Sequence, residues 1–211
     1  MLYSSKSKQI FFLKGMTLIV MMLAARIWIT GQMAFLFLLW NLVLAYLPFA
    51  ISNYIINRKH IQKPTFLILA VCWLLFFPNA PYLITDLIHL KQRTAPLWFD
   101  AALLFLAAIN GLWIGCLSLV QMEKKWQLFF PAIKPVFFTG AVMLLSGFGV
   151  YLGRVLRFNS WDIVSNPFVL LSAVLKRIVF PWQYIYTWEI TLLFAAILFV
   201  CYQQFKAIRA G

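Results

Sequence analysis

Residues 97–120 read LWFDAALLFLAAINGLWIGCLSLV, and this stretch decides the fold class of the chain. It carries one charged side chain, Asp100, among residues that are largely apolar. A helix needs about 20 such residues to cross the hydrocarbon core of a bilayer, so the stretch is long enough. Backbone groups in lipid must be hydrogen-bonded within the segment, and the stretch lacks the alternating pattern of a membrane barrel strand. It therefore predicts a transmembrane α-helix.

Five further apolar stretches flank this one. Together the six run approximately over residues 10–29, 33–56, 65–77 with a continuation beyond a break, 97–120, 135–152 and 188–202. The composition agrees, because 64% of the residues are hydrophobic and only 11% are charged, against about 25% charged in a typical soluble domain. A soluble fold of this size cannot bury so much apolar surface, so the excess must face lipid. We therefore expect an all-α fold, a single transmembrane domain over residues 1–211 with about six spanning helices.

The basic residues, which give the chain a net charge of +13, separate the apolar stretches. This pattern excludes nucleic acid as a partner, since a nucleic-acid-binding protein carries its basic residues as one stripe on a soluble body. Lys and Arg cluster in residues 6–14, 58–63, 124–134 and 206–209, which fall on one side of a six-helix topology. By the positive-inside rule, we expect both termini to be cytoplasmic.

The link after the fifth stretch contains a further helical pattern. Asn166 as a cap and Pro167 in the first turn are typical of a helix start. The run that follows is about fourteen residues long, too short to span a bilayer. Ser165, Ser172 and Lys176 fall on one face of it, which predicts a helix lying in the outer interface or packed against the bundle. The alternative is a re-entrant or seventh spanning helix, which would place the C-terminus outside.

Two pairs of glycines lie four residues apart within the apolar stretches. Gly111 and Gly115 belong to the fourth stretch, and Gly149 and Gly153 belong to the fifth. Small residues at this spacing let two helices approach closely. We interpret them as packing positions of these two spans.

The first polar motif is PNAPYLITDLIHL at residues 78–90. Pro78 and Pro81 remove backbone donors and disfavour helix just before them, so the third span is predicted to break near Pro78. Asn79 is a candidate cap for the helix that resumes. Irregular backbone at membrane depth persists only where protein or a water-filled cavity satisfies it.

Asp86 and His89 lie three residues apart in this motif, so they share one helix face, with Tyr82 close to it. We expect this face to line an outward-facing cleft. The alternative is an ordinary helix end, with Asp86 capped by a neighbouring amide or paired to Lys91 or Arg93.

The second polar motif is YLGRVLRFNSWD at residues 151–162. Arg154 and Arg157 are three apart, hence on one face at the outer end of the fifth span. Trp161 suits the interfacial aromatic belt, and Asp162 adds a carboxylate. The alternative is a basic, aromatic helix end that only anchors the protein in the interface.

Both motifs fall on the outer side in the orientation derived from the basic residues, so we expect their side chains to converge. The catalytic candidates are Asp86, His89 and Asp162. The substrate-binding candidates are Arg154, Arg157, Asn159, Tyr82, Asn79 and Trp161. Two arginines beside so few ligands would repel a cation, so we expect neither a metal nor another cofactor.

The two motifs resemble those of the bacterial membrane family called domain of unknown function 1361 (DUF1361), from about the second span to the end of the fifth. This resemblance implies a multi-pass protein of the bacterial cytoplasmic (inner) membrane. It supplies no reaction and no substrate. The family's characteristic positions correspond here to Pro78, Asn79, Pro81, Tyr82, Asp86, His89, Gly153, Arg154, Arg157, Asn159, Trp161 and Asp162.

Three functions remain open at this point. The first is an enzyme or carrier for an anionic or lipid-linked substrate, with Arg154 and Arg157 binding phosphate or carboxylate and Asp86 with Asp162 or His89 as general acid and base. The sequence has no HExxH, nucleophile elbow or P-loop, so enzyme activity stays undecided. The alternatives are a small transporter or channel-like subunit, which could act as a homodimer, and a structural or assembly subunit without catalytic activity. In each case membrane lipids are expected partners.

Overall fold

The computed structural model of the chain describes residues 5–91, 95–159 and 161–210, and within these ranges it is helical with no strand. The α-helices are α1 (Ser5–Thr30), α2 (Phe37–Asn57), α3 (Lys63–Phe76), α4 (Asn79–Thr85), α5 (Leu97–Phe129), α6 (Pro135–Arg154), α7 (Asp162–Ser165), α8 (Pro167–Val179) and α9 (Ile185–Ala210). Short 3₁₀ helices cover Asp86–Lys91 and Pro181–Tyr184. The predicted all-α fold class is confirmed.

Six helical segments in the described ranges are long and apolar enough to cross a membrane, as predicted. They are Phe12–Thr30, Phe37–Asn57, Lys63–Leu90, Leu97–Phe129, Pro135–Arg154 and Pro181–Arg209. In the fourth span, Leu97–Phe129, 67% of the residues in its most apolar part are buried, whereas the corresponding fraction in the other five spans is 22% to 39%. Helix α5 is therefore the central helix, and the others expose more apolar surface to lipid.

The third span breaks where its prolines predict. Helix α3 ends at Phe76 and α4 begins at Asn79, directly after Pro78. The predicted cap is wrong: no side chain caps α4, and Asn79 Nδ2 instead donates to the Phe76 carbonyl oxygen at 2.9 Å. The reason is that Pro78 keeps helical angles (φ −59°, ψ −21°), so the chain kinks without unwinding. Asn79 thus meets a carbonyl that the end of α3 leaves unpaired.

The glycine pairs make their closest contacts with α4. A Cβ atom added to Gly111 would lie 2.7 Å from the Ala80 carbonyl oxygen, and one on Gly115 would lie 2.9 Å from the Ala80 Cβ atom. Real Cβ atoms do not approach so closely, so α5 presses against α4 only because it carries no side chain at these positions.

Helix α6 touches the broken span in the same way. A Cβ atom on Gly149 would lie 2.7 Å from Pro78 Cγ, and one on Gly153 would lie 3.0 Å from the Tyr82 ring. The predicted packing role is therefore confirmed, with α4 as the partner shared by both pairs. Helix α4 lies between α5 and α6, which brings the end of the first motif beside the end of α6.

Helix α8 is too short to be a seventh span. It has 13 residues, which corresponds to a length of about 20 Å, against about 30 Å for the hydrocarbon core. None of its residues is buried, and Phe168 is 84% exposed. Pro167 begins the helix as predicted, while Asn166 occupies the cap position without a capping side-chain bond. The short additional helix between spans five and six is confirmed.

A buried ion pair joins α1 to α5. Arg26 is completely buried, and its Nε atom donates to Asp100 Oδ1 at 2.8 Å while Nη2 donates to Oδ2 at 3.3 Å. The Phe35 ring covers the guanidinium at 4.3 Å and is held there with a left-handed φ of +74°. Neither local sequence pattern indicates that these two charges meet. They fix the end of α1 against the start of the central helix.

Candidate functional site

A cleft of about 590 Å³ lies beside the broken third span, bounded by α2, α3, α4, α6 and α8. Its polar lining residues are Asn41, Asn79, Tyr82, Asp86, His89, Arg154 and Asn159. Its apolar wall includes Leu44, Leu74, Leu75, Leu145, Phe148, Leu152, Leu170, Val174 and Ile178. The cleft thus has a polar part near the end of the bundle and an apolar part that continues toward the middle of the spans.

An ion pair between Asp86 and Arg154 forms the centre of the polar part. Arg154 Nη2 donates to Asp86 Oδ1, and Nε donates to Thr85 Oγ1 at 2.8 Å. The guanidinium carbon lies 4.3 Å from the centre of the Tyr82 ring, a favourable cation–π geometry. The Asp86 side chain is 1% exposed and that of Arg154 is 21% exposed. The two motifs therefore meet, and the arginine is the half of the pair that reaches the cleft.

Helix α2 supplies the second partner of Asp86. Asn41 Nδ2 donates to Asp86 Oδ2 at 3.0 Å, so both carboxylate oxygens accept a hydrogen bond from the protein. Asn41 was not among the sequence candidates. The available signal was a carboxamide inside the apolar second stretch, where polar side chains are rare and usually paired.

His89 lies against the other side of the guanidinium. Its Nε2 atom is 3.4 Å from Arg154 Nη1, and its ring centre is 4.8 Å from that of Phe37. A guanidinium can only donate, so this contact is a hydrogen bond in the tautomer that leaves Nε2 without a proton. Asp86 begins the 3₁₀ helix in which His89 is the fourth residue, and residues three apart eclipse each other in such a helix. The predicted shared face therefore exists.

The charges that line the cleft cancel. Asp86 contributes one negative charge and Arg154 one positive charge, and no other Asp, Glu, Lys or Arg is among the lining residues that the structure describes. Arg154 uses three nitrogens in the contacts above, which leaves two of its five N–H groups for other acceptors. The carboxylate fixes the arginine in place, and the arginine retains donor capacity toward the cleft.

A family model described as "Protein of unknown function (DUF1361)" matches residues 40–201. The chain belongs to this family. The match extends the resemblance seen in the two motifs into the sixth span, and it contains every polar residue of the cleft lining. No curated protein matches the chain, and neither does any solved structure.

The second motif of this DUF1361 protein divides between the cleft and the surface. Asn159 and Trp161 line the cleft, whereas Asp162 and Arg157 are not among the lining residues that the structure describes. Arg157 is exposed and has a left-handed φ of +61°. Ser160, which lies within the quoted motif, is outside the described residues.

Asp162 organises the turn that follows α6. Its Oδ2 atom accepts from the Asn159 backbone N–H at 2.6 Å, and Oδ1 accepts from Ser165 Oγ at 3.1 Å. The Asn159 N–H group lowers the pKa of Asp162 below its ordinary value because it stabilises the carboxylate. These bonds shape the segment that carries Asn159 and Trp161 to the cleft.

Two tryptophans mark the edge of the cleft. The ring centres of Trp40 in α2 and Trp161 lie 6.3 Å apart, and the residues are 53% and 49% exposed. Trp161 was a sequence candidate, and Trp40 was not. Both stand where interfacial aromatic residues are expected in a spanning bundle.

The alternative partners considered for Asp86 can be placed only in part. Arg93 and the side chain of Lys91 lie outside the described residues, and the partners seen are Arg154 and Asn41.

In the ranges that the structure describes, no three His, Cys, Asp or Glu side chains lie close enough together to hold a metal ion. The assignment of Asp86, His89 and Asp162 as general acid and base stays a prediction, as does the homodimer.

Proposed function

We propose that this membrane protein binds a lipid or lipid-linked molecule, with the polar head at Arg154 and the hydrocarbon chain along the apolar wall of the cleft. The observation that carries the proposal is the continuity of one cavity of about 590 Å³ from the Asp86–Arg154 pair to leucine side chains of α3 and α6. A molecule with a polar and an apolar part matches both ends of such a cavity. A small polar solute would leave the apolar wall without a partner.

Arg154 is the residue proposed to recognise the head. A guanidinium presents planar, forked donors that match phosphate and carboxylate oxygens. Asp86 is proposed as a positioning residue, since both of its oxygens already accept hydrogen bonds from Arg154 and Asn41. Because Asp86 offsets the charge of Arg154, hydrogen bonding contributes more to the recognition of the head than net charge does.

The proposed location of the cleft is the outer leaflet of the bacterial cytoplasmic membrane, with both termini cytoplasmic. The clustering of Lys and Arg at the opposite end of the helices supports this orientation. Single cysteines at the exposed positions Ser165 and Gln62 test it in a background without Cys72, Cys116 and Cys201. We expect a membrane-impermeant maleimide to label S165C, but not Q62C, on intact cells, and the reverse labelling pattern would contradict the orientation.

Two adjacent leucines of α6 provide a matched test of the cleft. Leu145 lines the cleft and is 50% exposed, whereas Leu144 is 45% exposed and does not line it. In the variant Leu145→Trp the larger side chain fills the cleft. We expect its affinity for the lipid to fall by about tenfold or more, which corresponds to a loss of about 1.4 kcal/mol of binding free energy. Native mass spectrometry after mild detergent extraction measures the fraction of protein that carries the lipid.

Leu144→Trp is the control and should retain the same lipid as the unmodified protein. Equal retention by both variants, or the absence of any retained lipid in the unmodified protein, would contradict the proposed function.

A further inference from the structure

Lys125, near the end of α5, is buried without a carboxylate partner. It is 7% exposed, and its Nζ atom donates to the Arg58 carbonyl oxygen at 3.0 Å. Among the described residues, no Asp or Glu oxygen lies within ion-pair distance of this ammonium group. Buried charges in proteins are usually paired, so Lys125 is an exception that needs a cause.

The acidic residues of the chain cannot supply the missing charge. There are five of them. Asp86 is paired with Arg154, Asp100 with Arg26 and Glu123 with Lys206. Asp162 and Glu189 lie at the cleft end of the bundle, where α9 begins. The other end of α9 lies near the end of α5, because Lys206 of α9 pairs with Glu123 of α5.

Neighbouring cations at this end of the bundle rest on aromatic rings. The Arg58 guanidinium lies 4.7 Å from the centre of the Tyr54 ring, and Lys63 Nζ lies 4.6 Å from that of Phe130. Such contacts stabilise each cation modestly and leave its charge in place. Positive charge therefore accumulates around Lys125.

A cavity of about 420 Å³ opens next to Lys125. It is lined by Lys59, His60, Ile61, Gln62, Lys125, Leu128 and Phe129. Four of these side chains can donate a hydrogen bond, and none carries a negative charge. The donors come from the link between α2 and α3 and from the end of α5, so they surround the cavity from two parts of the chain.

We propose that this cavity binds a phosphate group, either the headgroup of an anionic lipid or a free phosphate compound, with Lys125 as its buried counter-charge. A phosphate group has several strong acceptor oxygens. It therefore matches a cavity that is lined by several hydrogen-bond donors and by no carboxylate side chain. Lysine suits this role because it binds phosphate as a point charge. The site lies at the end of the bundle opposite the cleft, so it is independent of the proposed lipid-binding function.

Thermal unfolding in nanodiscs tests the site. The probes are inorganic phosphate added to phosphatidylcholine nanodiscs, and nanodiscs that contain phosphatidylglycerol. We expect at least one probe to raise the unfolding temperature of the unmodified protein, and Lys125→Met to weaken the apparent affinity by about tenfold to a hundredfold, the loss typical of a charge-assisted hydrogen bond. A response to inorganic phosphate indicates a free phosphate compound, and a response only to phosphatidylglycerol indicates a lipid headgroup.

Lys124→Met is the matched control, because Lys124 is the preceding residue of the same helix and is exposed. It should respond as the unmodified protein does. If Lys125→Met fails to fold, Lys59→Gln replaces it, with Lys63→Gln as control, since Lys59 lines the cavity and Lys63 does not. The proposal is wrong if neither probe stabilises the unmodified protein, or if the cavity variant responds as its control does.

Discussion

Replacing Asp86 by asparagine is expected to lower the free energy of unfolding by about 3 kcal/mol, because Arg154 then keeps its charge inside the bundle without a carboxylate. Asparagine preserves the shape of the side chain, so the loss reports the charge and not a cavity. The ion pair also joins the broken third span to the end of α6, and its loss should loosen the cleft. Unfolding by a denaturing detergent, followed by tryptophan fluorescence, measures the difference.

Glu189→Gln is the control for Asp86→Asn, since Glu189 is an exposed acid of α9. Such a surface change is expected to alter the free energy of unfolding by less than about 0.5 kcal/mol. If both variants unfold alike, the Asp86–Arg154 pair does not stabilise the bundle.

The variant Arg154→Lys separates lipid binding from stability, because it keeps the charge but removes the forked donors. It should lose bound lipid, while its free energy of unfolding stays closer to that of the unmodified protein.

Replacing Arg26 by methionine is expected to cost about 4 kcal/mol of unfolding free energy, the larger of the two effects, because it leaves Asp100 buried and unpaired. Arg26 is completely buried and Asp100 is 2% exposed, so water cannot solvate the remaining carboxylate in the folded state. The same denaturing-detergent titration measures this loss.

The double variant Arg26→Met/Asp100→Leu separates the pair from its surroundings. Replacing both partners of a buried pair by apolar residues is often neutral or stabilising, so most of the lost stability should return. A double variant as unstable as Arg26→Met alone would mean that the packing around Phe35, and not the charge pair, joins α1 to α5.

The six spans and the break in the third could be predicted because they depend on local properties of the chain. A span needs only length and hydropathy, and Pro78 acts on the backbone immediately before it. The convergence of the two motifs could also be predicted, since each motif ends a span on the same side of the bundle. The ion pair between Asp86 and Arg154, 68 residues apart, agrees with that expectation.

Contacts that depend on how the helices rotate and pack could not be predicted. Asn41 reaches Asp86 across 45 residues, and Arg26 reaches Asp100 across 74 residues. Nothing in either local pattern indicates the partner, because a single sequence does not show which faces of two apolar helices meet. The role of Asn79 was missed for a different reason, since the sequence indicated a break but not that Pro78 would remain helical.

The glycine pairs explain why the cleft forms beside α4. Gly111 and Gly115 allow α5 to contact one side of α4, and Gly149 and Gly153 allow α6 to contact the other. Helix α4 is therefore held between two long helices, although it is only 7 residues long and could not be stable alone. This arrangement fixes the start of the 3₁₀ helix, and with it the position of Asp86.

Photo-crosslinking in native membranes tests most directly whether a specific lipid occupies the cleft. A photoreactive phenylalanine analogue replaces Trp40, which lines the cleft, or Val43, which is exposed on the same helix outside it. We expect position 40 to give one dominant lipid adduct whose mass matches the molecule retained by the purified protein, and position 43 to give the mixed lipids of the bulk membrane. The same mixture at both positions would contradict a lipid-binding cleft.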